Sequence, residues 1–104
     1  DGTKLYVTMN ISGKVQAWDL VNNKTIKSVK TGKAARSLDI SSDGSALFVV
    51  NFDSDTVSKV RASDMKILQT IKVCNEPIGV TYDSSTNRTW VACYGGALKV
   101  FVNR

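Results

Sequence analysis

The side chains of this sequence that could do chemistry are carboxylates, cations, two thiols and a few aromatic rings, because its 104 residues include no histidine. The lack of histidine removes the commonest general base and the commonest transition-metal ligand together. A serine or cysteine nucleophile needs a neighbouring base, and no lysine or carboxylate stands in a motif that would supply one. We therefore expect no catalytic residues in this chain, and no metal or cofactor bound by it.

Two carboxylates, Asp53 and Asp55, stand two positions apart in the segment FDSDT. Aspartate oxygens at this spacing could contribute to a Ca²⁺ site. The calcium-loop signature also requires a glycine and a later acidic residue, and both are absent here. An ordinary Asp-rich turn is therefore the better interpretation of this segment.

The basic residues are densest between positions 24 and 36, in a chain whose net charge is +5. One interpretation is a basic stripe that binds nucleic acid or another anionic polymer through phosphate contacts. Its members would be Lys24, Lys27, Lys30, Lys33 and Arg36. Alternatively, the first three protect the exposed edge of a sheet from pairing with other chains, which is a common use of lysine. We favour edge protection, so nucleic acid is the less favoured partner.

The elements that must position these side chains are indicated by an internal repeat of 42 residues. A shift of 42 aligns identical residues in register: Asp1 with Asp43, Gly2 with Gly44, Leu5 with Leu47, Val7 with Val49, Ser12 with Ser54, Val15 with Val57, Lys24 with Lys66 and Lys30 with Lys72. A second shift of 42 brings Trp90 onto Phe48 and Tyr6, which predicts equivalent core positions for the three rings. A period near 40 is typical of stacked or radial repeats.

Each period contains four short segments rich in Val, Ile, Thr and aromatic residues, separated by clusters of Gly, Asp, Asn and Ser. In the second period they read RSLDI, ALFVVNF, TVSKVRA and ILQTIKV. No window sustains the apolar spacing of a helix. Four short strands joined by tight turns predict an all-β fold made of β-propeller blades, each with four antiparallel strands. The second segment is apolar on both faces, as expected of a strand whose sheet packs on a neighbour at each side.

The strand count divides the chain into about two and a half blades. We predict strands b, c and d of one blade in residues 1–33, a complete blade in residues 34–74, and strands a, b and c of a third blade in residues 75–104. Propellers close with about four to eight blades. We therefore expect a fragment of a seven-bladed ring, in which the remaining blades or further copies close the ring. The sequence contains no apolar run long enough to span a membrane, so we expect no transmembrane segment in it. We also expect no signal peptide within these residues.

One strand recurs as LYVTMN and LFVVNF, each preceded by DG, and the segments TVSKVRASDMKILQTIKV and EPIGVTYD supply the next two strands and the entry to a new blade. Together these segments, which cover essentially the whole chain, resemble the YVTN-type β-propeller repeat family of the WD-repeat-like and quinoprotein-like superfamily. Asn51 keeps the family's asparagine at the end of the naming strand, whereas Met9 and Cys93 replace it.

The resemblance implies that ligands or partners bind in the central channel or at the rim formed by the turns that enter each blade. Candidate rim residues are Asn10, Lys33, Arg36, Asn51, Phe52, Asp53, Asp55, Glu76 and Tyr94. Arg36 and Glu76 flank the innermost strands, where a charge could face the channel and hold an ionic ligand. The alternative is that both are solvated turn residues, in pairs worth less than about 1 kcal/mol.

The two cysteines, Cys74 and Cys93, are too few for a disulfide framework and lack the close spacing of a metal knuckle. In the predicted topology both lie at the same rim, so a disulfide between them is conceivable. The alternative is two half-buried thiols that act as small apolar fillers. The sequence leaves both alternatives open.

For function, the resemblance implies a non-catalytic scaffold that binds a protein, a glycan or a small ligand at its rim. It also implies a location in the periplasm, at the cell surface or outside the cell. Related propellers include sugar-lactone hydrolases and subunits of quinone- and haem-linked redox enzymes, so a propeller enzyme whose catalytic residues lie outside this chain is the alternative. Binding of an anionic polymer through the face from Lys24 to Arg36 is a third, weaker hypothesis.

Overall fold

A computed structural model describes residues 2–102 of the chain. This range forms ten β-strands and one 3-10 helix, and contains no helix with the length and hydropathy of a membrane span. The elements are β1 Lys4–Met9, β2 Lys14–Asp19, β3 Lys24–Lys30, β4 Ala35–Ile40, β5 Ala46–Asn51, the 3-10 helix Phe52–Ser54, β6 Thr56–Arg61, β7 Lys66–Lys72, β8 Pro77–Asp83, β9 Arg88–Cys93 and β10 Leu98–Val102.

The strands form three antiparallel sheets, each made of strands that follow one another along the chain. Sheet 1 has the order β1-β2-β3, sheet 2 the order β4-β5-β6-β7, and sheet 3 the order β8-β9-β10. The predicted all-β fold of antiparallel blades is confirmed, apart from the short 3-10 helix that follows β5. The assignment of these strands to the letters a to d of successive blades, with boundaries after residues 33 and 74, stays a prediction.

Strand β5 lies in the middle of sheet 2 and is buried along its whole length. Successive side chains of a strand point to opposite faces of the sheet. Leu47 and Val49 belong to the core between sheets 1 and 2, whereas Val50 belongs to the core between sheets 2 and 3. Packing on both faces explains why this strand lacks the polar alternation of a half-exposed strand.

The three aromatic residues aligned by the repeat lie on the corresponding face of each sheet. Tyr6 packs against the core between sheets 1 and 2, and Phe48 stacks on Tyr82 of sheet 3 with ring centroids 5.6 Å apart. Trp90, in contrast to the expectation of a core position, is 37% exposed. Its neighbour Val91 packs inward onto sheet 2, so the Trp90 ring lies on the opposite face of sheet 3, which no described sheet covers.

Two apolar faces of the described chain are thus left open, one on sheet 1 and one on sheet 3. Sheet 1 exposes Leu5 and Met9, and sheet 3 exposes Trp90 and Val100. Exposed apolar faces of this kind are typical of surfaces that another element covers. They agree with a part of a propeller rather than a closed ring.

The turns between strands use the local chemistry that the sequence predicts. In the SSDG turn, Asp43 accepts hydrogen bonds from the backbone N of Ser45 at 3.0 Å and from the hydroxyl of Ser41 at 2.8 Å. Gly44 has φ +74°, a conformation that costs glycine little. Asp43 therefore closes the hairpin that leads into β5.

The first three residues of the basic stretch lie on an exposed sheet edge. Lys24, Lys27 and Lys30 are exposed on β3, which is the edge strand of sheet 1. Lysines at such a position discourage pairing with strands of other molecules. This placement fits the edge-protection interpretation of the stretch.

Candidate functional site

One end of the three sheets is built from the turns after β1, β5 and β9 and from the links that join one sheet to the next. The backbone N of Thr31 in the first link donates to the carbonyl of Gly13 at 2.9 Å, and one repeat later Val73 donates to Asp55, also at 2.9 Å. These two backbone hydrogen bonds are related by the 42-residue repeat. They therefore place the turns and links of successive sheets on the same side of the molecule. We call this surface the rim, defined as residues 10–13, 31–36, 52–55, 73–78 and 94–97.

Each link is also bonded to the turn of the sheet that it enters. The backbone N of Phe52 donates to the carbonyl of Ala34 at 3.0 Å, and that of Tyr94 donates to the carbonyl of Glu76 at 2.8 Å. Ala34 and Glu76 have φ +58° and +54°, in the left-handed region, where the link bends sharply. The rim backbone is therefore a repeated hydrogen-bonded frame from which side chains project.

The most distinctive pair on this frame is Arg36 with Phe52. The guanidinium carbon of Arg36 lies 4.5 Å from the centre of the Phe52 ring, and the hydroxyl of Thr8 donates to the Arg36 carbonyl at 3.1 Å. Arg36 is exposed, and its guanidinium forms no ion pair or hydrogen bond within residues 2–102. A guanidinium held on an aromatic face keeps its N–H donors available at its edges. This pair could therefore receive a carboxylate or a phosphate.

A shallow cavity of about 300 Å³ opens at the same junction between sheets 1 and 2, and its lining includes Asn10, Lys33 and Asp53. The backbone here is fixed, because Lys33 N donates to the Ser54 hydroxyl at 2.8 Å and Asp53 N donates to the Lys33 carbonyl at 3.2 Å. Lys33 and Asp53 are exposed. The structure thus brings three of the predicted rim residues together around one opening.

Asn51 is fully buried beneath the rim instead of being exposed on it. Its Oδ1 accepts a hydrogen bond from the Thr31 hydroxyl at 2.8 Å, and its Nδ2 donates to the hydroxyls of Thr56 and Ser58, each at 3.1 Å. A buried amide with its hydrogen bonds satisfied cannot contact a ligand from solvent. The expected role of Asn51 as a ligand contact is therefore corrected to a structural one, in which it ties the first link to sheet 2.

Asp55 also stabilises a link. Its Oδ1 accepts a hydrogen bond from the backbone N of Glu76 at 2.9 Å, and its own φ of +58° matches Gly13 one repeat earlier, at +67°. The structure brings no third acidic or cysteine side chain to Asp53 and Asp55 to complete a metal site. The part of the chain that it describes has no group of three or more such side chains able to hold a metal ion. The FDSDT segment is a turn in which one carboxylate caps the next link.

Cys74 and Cys93 form a disulfide at the rim between sheets 2 and 3, with Cα atoms 6.0 Å apart. By the 42-residue repeat, these positions correspond to Gly32 and Asn51 at the other junction. There, a Cβ on Gly32 would lie 2.8 Å from Asn51 Cγ. The same two positions thus come into close contact twice, once as a glycine beside a buried amide and once as a disulfide.

The second junction presents a different surface from the first. Tyr94, one repeat after Phe52, is 73% exposed, and Ile78 replaces the arginine at the position one repeat after Arg36. The second junction therefore offers aromatic and aliphatic surface where the first offers a cation stacked on a ring. Positive charge at the rim is concentrated between sheets 1 and 2.

Sequence reasoning missed three residues that hold the rim together, namely Thr31, Gly32 and Ser58. A usable signal was present, because the repeat aligns Gly32 with Cys74 and Asn51 with Cys93. Where one repeat has two cysteines that could pair, the aligned pair in the other repeat is expected to be in close contact as well.

The carboxylates with the most strongly perturbed pKa values lie at the opposite end of the strands from the rim. Hydrogen bonds from Ser45 lower the pKa of Asp43 to about 2, and the hydrogen-bonded guanidinium of Arg61 lowers the pKa of Asp64 to about 2. Both are turn-forming carboxylates that stay ionised near neutral pH. Neither is suited to proton transfer at that pH.

The family model of the cytochrome D1 heme domain matches residues 1–97. The chain belongs to the cytochrome D1 heme domain family. The match supports the predicted β-propeller superfamily, and it does not identify the YVTN repeat family that the strand motif resembles. A comparison with curated proteins finds no match.

Solved structures place this cytochrome D1 heme domain chain among β-propellers. Hydrazine synthase of Kuenenia stuttgartiensis is 26% identical with a TM-score of 0.94, over 99% of this chain and 30% of that one. The periplasmic gluconolactonase of Pseudomonas aeruginosa is 22% identical with a TM-score of 0.89, over 100% and 33%. Dihydro-heme d1 dehydrogenase NirN, in complex with DHE, is 22% identical with a TM-score of 0.76, over 98% and 26%. The chain spans a third or less of the length of these structures.

Proposed function

We propose that this chain forms part of a β-propeller that binds an anionic ligand or partner at its rim and contributes no catalytic residues of its own. The observation that carries the proposal is the Arg36 guanidinium, exposed and stacked on Phe52 at 4.5 Å, with no acidic side chain paired to it within the described range. Lys33 adds a second cation at the same junction. Planar cations of this kind bind carboxylate and phosphate groups through two parallel hydrogen bonds.

A haem of the d1 type is the ligand that the family name and the NirN structure suggest. Such a group needs cations for its carboxylates, apolar or aromatic surface for its ring, and a ligand for its iron. The cation is supplied by Arg36. The aromatic surface is supplied by Phe52 and by the exposed ring of Tyr94. The chain has no histidine and its two cysteines are bonded to each other, so it lacks the commonest iron ligands. We therefore propose contacts with the periphery of such a group and not with its iron.

A titration with iron protoporphyrin IX, followed by absorbance, tests this proposal. The dimethyl ester of the same compound is the matched ligand, because it keeps the ring and removes the carboxylate charge. We expect Arg36→Gln to weaken binding of the acid by about tenfold, the effect of one charge-assisted hydrogen-bonded contact. Arg88→Gln is the control, since Arg88 is an exposed arginine at the far end of β9. Equal affinity for acid and ester, or no loss with Arg36→Gln, would contradict the proposal.

The same variants separate rim binding from the anionic-polymer hypothesis. Binding to heparin or single-stranded DNA that is lost with Lys27→Glu plus Lys30→Glu, and kept with Arg36→Gln, would favour the edge of β3 as the binding face. The reverse pattern would favour the rim. Both lysines are exposed, so the fold should tolerate the charge reversal.

A propeller enzyme with catalytic residues outside these 104 residues is the second candidate. It is supported by the names of the matched structures, which include a synthase, a gluconolactonase and a dehydrogenase. In that case the rim described here would position a substrate or cofactor rather than react with it. Arg36→Gln in the full-length protein should then raise KM for an anionic substrate more than it lowers kcat.

We further propose a periplasmic, cell-surface or extracellular location. Disulfides persist mainly in oxidising compartments, so the Cys74–Cys93 bond supports this location, as does the periplasmic gluconolactonase among the matched structures. A seven-bladed ring of YVTN type, closed by the remaining blades or by further copies, also stays a proposal. Thiol alkylation of protein extracted without reductant tests the location: a freely alkylated Cys74 in the native source would contradict it.

A further inference from the structure

A cleft of about 630 Å³ lies between sheets 1 and 2, at the opposite end of the strands from the rim. Sheet 1 lines it with Tyr6 of β1, and sheet 2 lines it with Leu38 and Ile40 of β4 and with Ser45 in the turn before β5. We call it the Tyr6 cleft. An inference about this cleft does not depend on the binding proposed for the rim, because the two surfaces share no residue.

At the junction between sheets 2 and 3, a tyrosine side chain occupies the position that corresponds to this cleft. By the 42-residue repeat, Phe48 and Tyr82 correspond to Tyr6 and Ile40. The rings of Phe48 and Tyr82 stack with centroids 5.6 Å apart and planes inclined by 6°. Phe48 is only 4% exposed as a result. Paired rings attract each other beyond the gain from the area that they bury.

In the Tyr6 cleft an aliphatic side chain stands in place of that second ring. Ile40 takes the position of Tyr82 and is 38% exposed, and Tyr6 stays partly exposed where Phe48 is buried. Isoleucine has no planar face with which to cover an aromatic ring. Both residues of each pair lie within residues 2–102, so the open ring face results from the exchange of tyrosine for isoleucine between the two junctions.

The polar end of the Tyr82 side chain also has a counterpart site in the cleft. The Tyr82 hydroxyl donates to Asn87 Oδ1 at 2.6 Å, and the residue that corresponds to Asn87 is Ser45. The Ser45 hydroxyl donates its own proton to Asp43 at 2.7 Å, which leaves its oxygen lone pairs to accept. A hydroxyl donor in the cleft would complete a chain through Ser45 to the Asp43 carboxylate, and bonds in such a chain strengthen one another.

The charges around the cleft favour a neutral ligand over an anion. Lys4 and Arg61 line the cleft together with Asp43, and Arg61 is already paired with Asp64 at 2.7 Å. Hydrogen bonds from Ser45 lower the pKa of Asp43 to about 2, so this carboxylate is negatively charged near neutral pH. A phenol that keeps its proton can donate to the Ser45 hydroxyl, whereas a phenolate would face the charge of Asp43.

We propose that the Tyr6 cleft binds a phenol, a flat aromatic ring that carries one un-ionised hydroxyl group. The ring stacks on Tyr6 as Tyr82 stacks on Phe48, and the hydroxyl donates to Ser45. A free small phenol and the tyrosine side chain of another molecule are two sources of this group, and both present the same chemistry to the cleft.

The probe is p-cresol, which is the side chain of tyrosine without its backbone, titrated against the whole chain and followed by amide chemical shifts in NMR spectra. We expect saturable binding with a dissociation constant of about a millimolar, and shifts concentrated at Tyr6, Ile40 and residues 43–45. Toluene is the matched ligand, because it keeps the ring and the methyl group and lacks the hydroxyl. It should bind about three- to tenfold more weakly.

The variant Ile40→Tyr fills the cleft from within. It reproduces at the first junction the arrangement of Tyr82 on Phe48, so it should weaken p-cresol binding at least about tenfold and raise Tm in the absence of ligand. Ile78→Tyr is the matched control, because Ile78 is also 38% exposed and lies at the rim end of sheet 3. It should leave the affinity for p-cresol within about threefold of that of the unchanged chain.

The reverse exchange provides a test that does not depend on how Ile40→Tyr folds. Tyr82→Ile should open a second cleft over Phe48 and raise the stoichiometry from one p-cresol per chain to two. N-acetyltyrosinamide separates the two sources: affinity equal to that of p-cresol indicates a tyrosine side chain, and weaker binding indicates a free phenol. An absence of saturable p-cresol binding, equal affinity for toluene, or unchanged affinity in Ile40→Tyr would overturn the proposal.

Discussion

Reduction of the disulfide between Cys74 and Cys93 should lower the free energy of unfolding by about 3 kcal/mol. The two cysteines are 19 residues apart in sequence, and the entropy of closing a loop of that size in the unfolded chain corresponds to about 3 kcal/mol. For a chain of about 100 residues, each kcal/mol shifts Tm by about 4–8 °C. The reduced protein should therefore melt roughly 12–24 °C lower than the oxidised one.

The position of the bond gives a structural reason to expect the full loss. At the junction of sheets 1 and 2, Asn51 makes side-chain hydrogen bonds to Thr31, Thr56 and Ser58. At the junction of sheets 2 and 3 the corresponding residue is Cys93, and its side chain is used in the disulfide. Among the described residues, no side-chain amide at this position makes bonds like those of Asn51 that could compensate for a broken disulfide.

The assay is urea unfolding, followed by tryptophan fluorescence, of the oxidised and the reduced protein. Intact mass confirms complete reduction, because the reduced protein is heavier by two hydrogens. The double variant Cys74→Ser plus Cys93→Ala is the control, because its unfolding should not respond to reductant. A loss smaller than about 1 kcal/mol after complete reduction would refute the reasoning. Purified oxidised protein in which both thiols alkylate freely would refute the bond itself.

Three further predictions concern single side chains. Asn51→Ala should destabilise the chain by about 2–3 kcal/mol in urea unfolding, because it removes the buried amide that accepts from the Thr31 hydroxyl and donates to the hydroxyls of Thr56 and Ser58; a loss below about 0.5 kcal/mol would contradict the network. Gly32→Ala should cost about 1–3 kcal/mol by thermal melting, since the new Cβ would lie 2.8 Å from the Asn51 side chain. Gly79→Ala, with its nearest side chain 4.0 Å away, is the control and should change Tm little. The pKa of Asp43 lies at about 2 against an ordinary 3.8, so its hydrogen bonds stabilise the fold above pH 3.8 and lose that effect as the pH falls towards 2. Asp43→Asn should therefore flatten the fall of the urea midpoint between pH 4 and 2, and an unchanged profile would argue against the Asp43 turn as a source of acid sensitivity.

The blade architecture was accessible from the sequence because its two signals are local and repeated. Strand segments separated by turn residues recur every 42 positions, and the side-chain period of a strand then determines which residues share a face. Leu47, Val49 and Val50 divide between the two cores as that period requires. The SSDG turn likewise depends only on the local chemistry of Asp43 and Gly44.

The rim was predicted only in outline. Asn10, Lys33 and Asp53 lie around one cavity as turns on the same side of the sheets should. The sequence does not separate an exposed polar residue from a buried one at the end of a strand, so it predicts a surface position for Asn51, which the structure buries. Its burial follows from the close approach of Gly32 and of Thr31, which is 20 residues away in sequence, and no local pattern encodes that contact.

The sequence by itself determined the repeat, the strand class and the face on which each apolar residue lies, because these follow from short-range periodicity. The tertiary structure alone decided which polar groups meet across the sheets. It stacked Arg36 on Phe52 and joined Cys74 to Cys93. Contacts of this kind depend on how two sheets pack and on the path of the link between them, and a linear pattern of residues does not specify either distance.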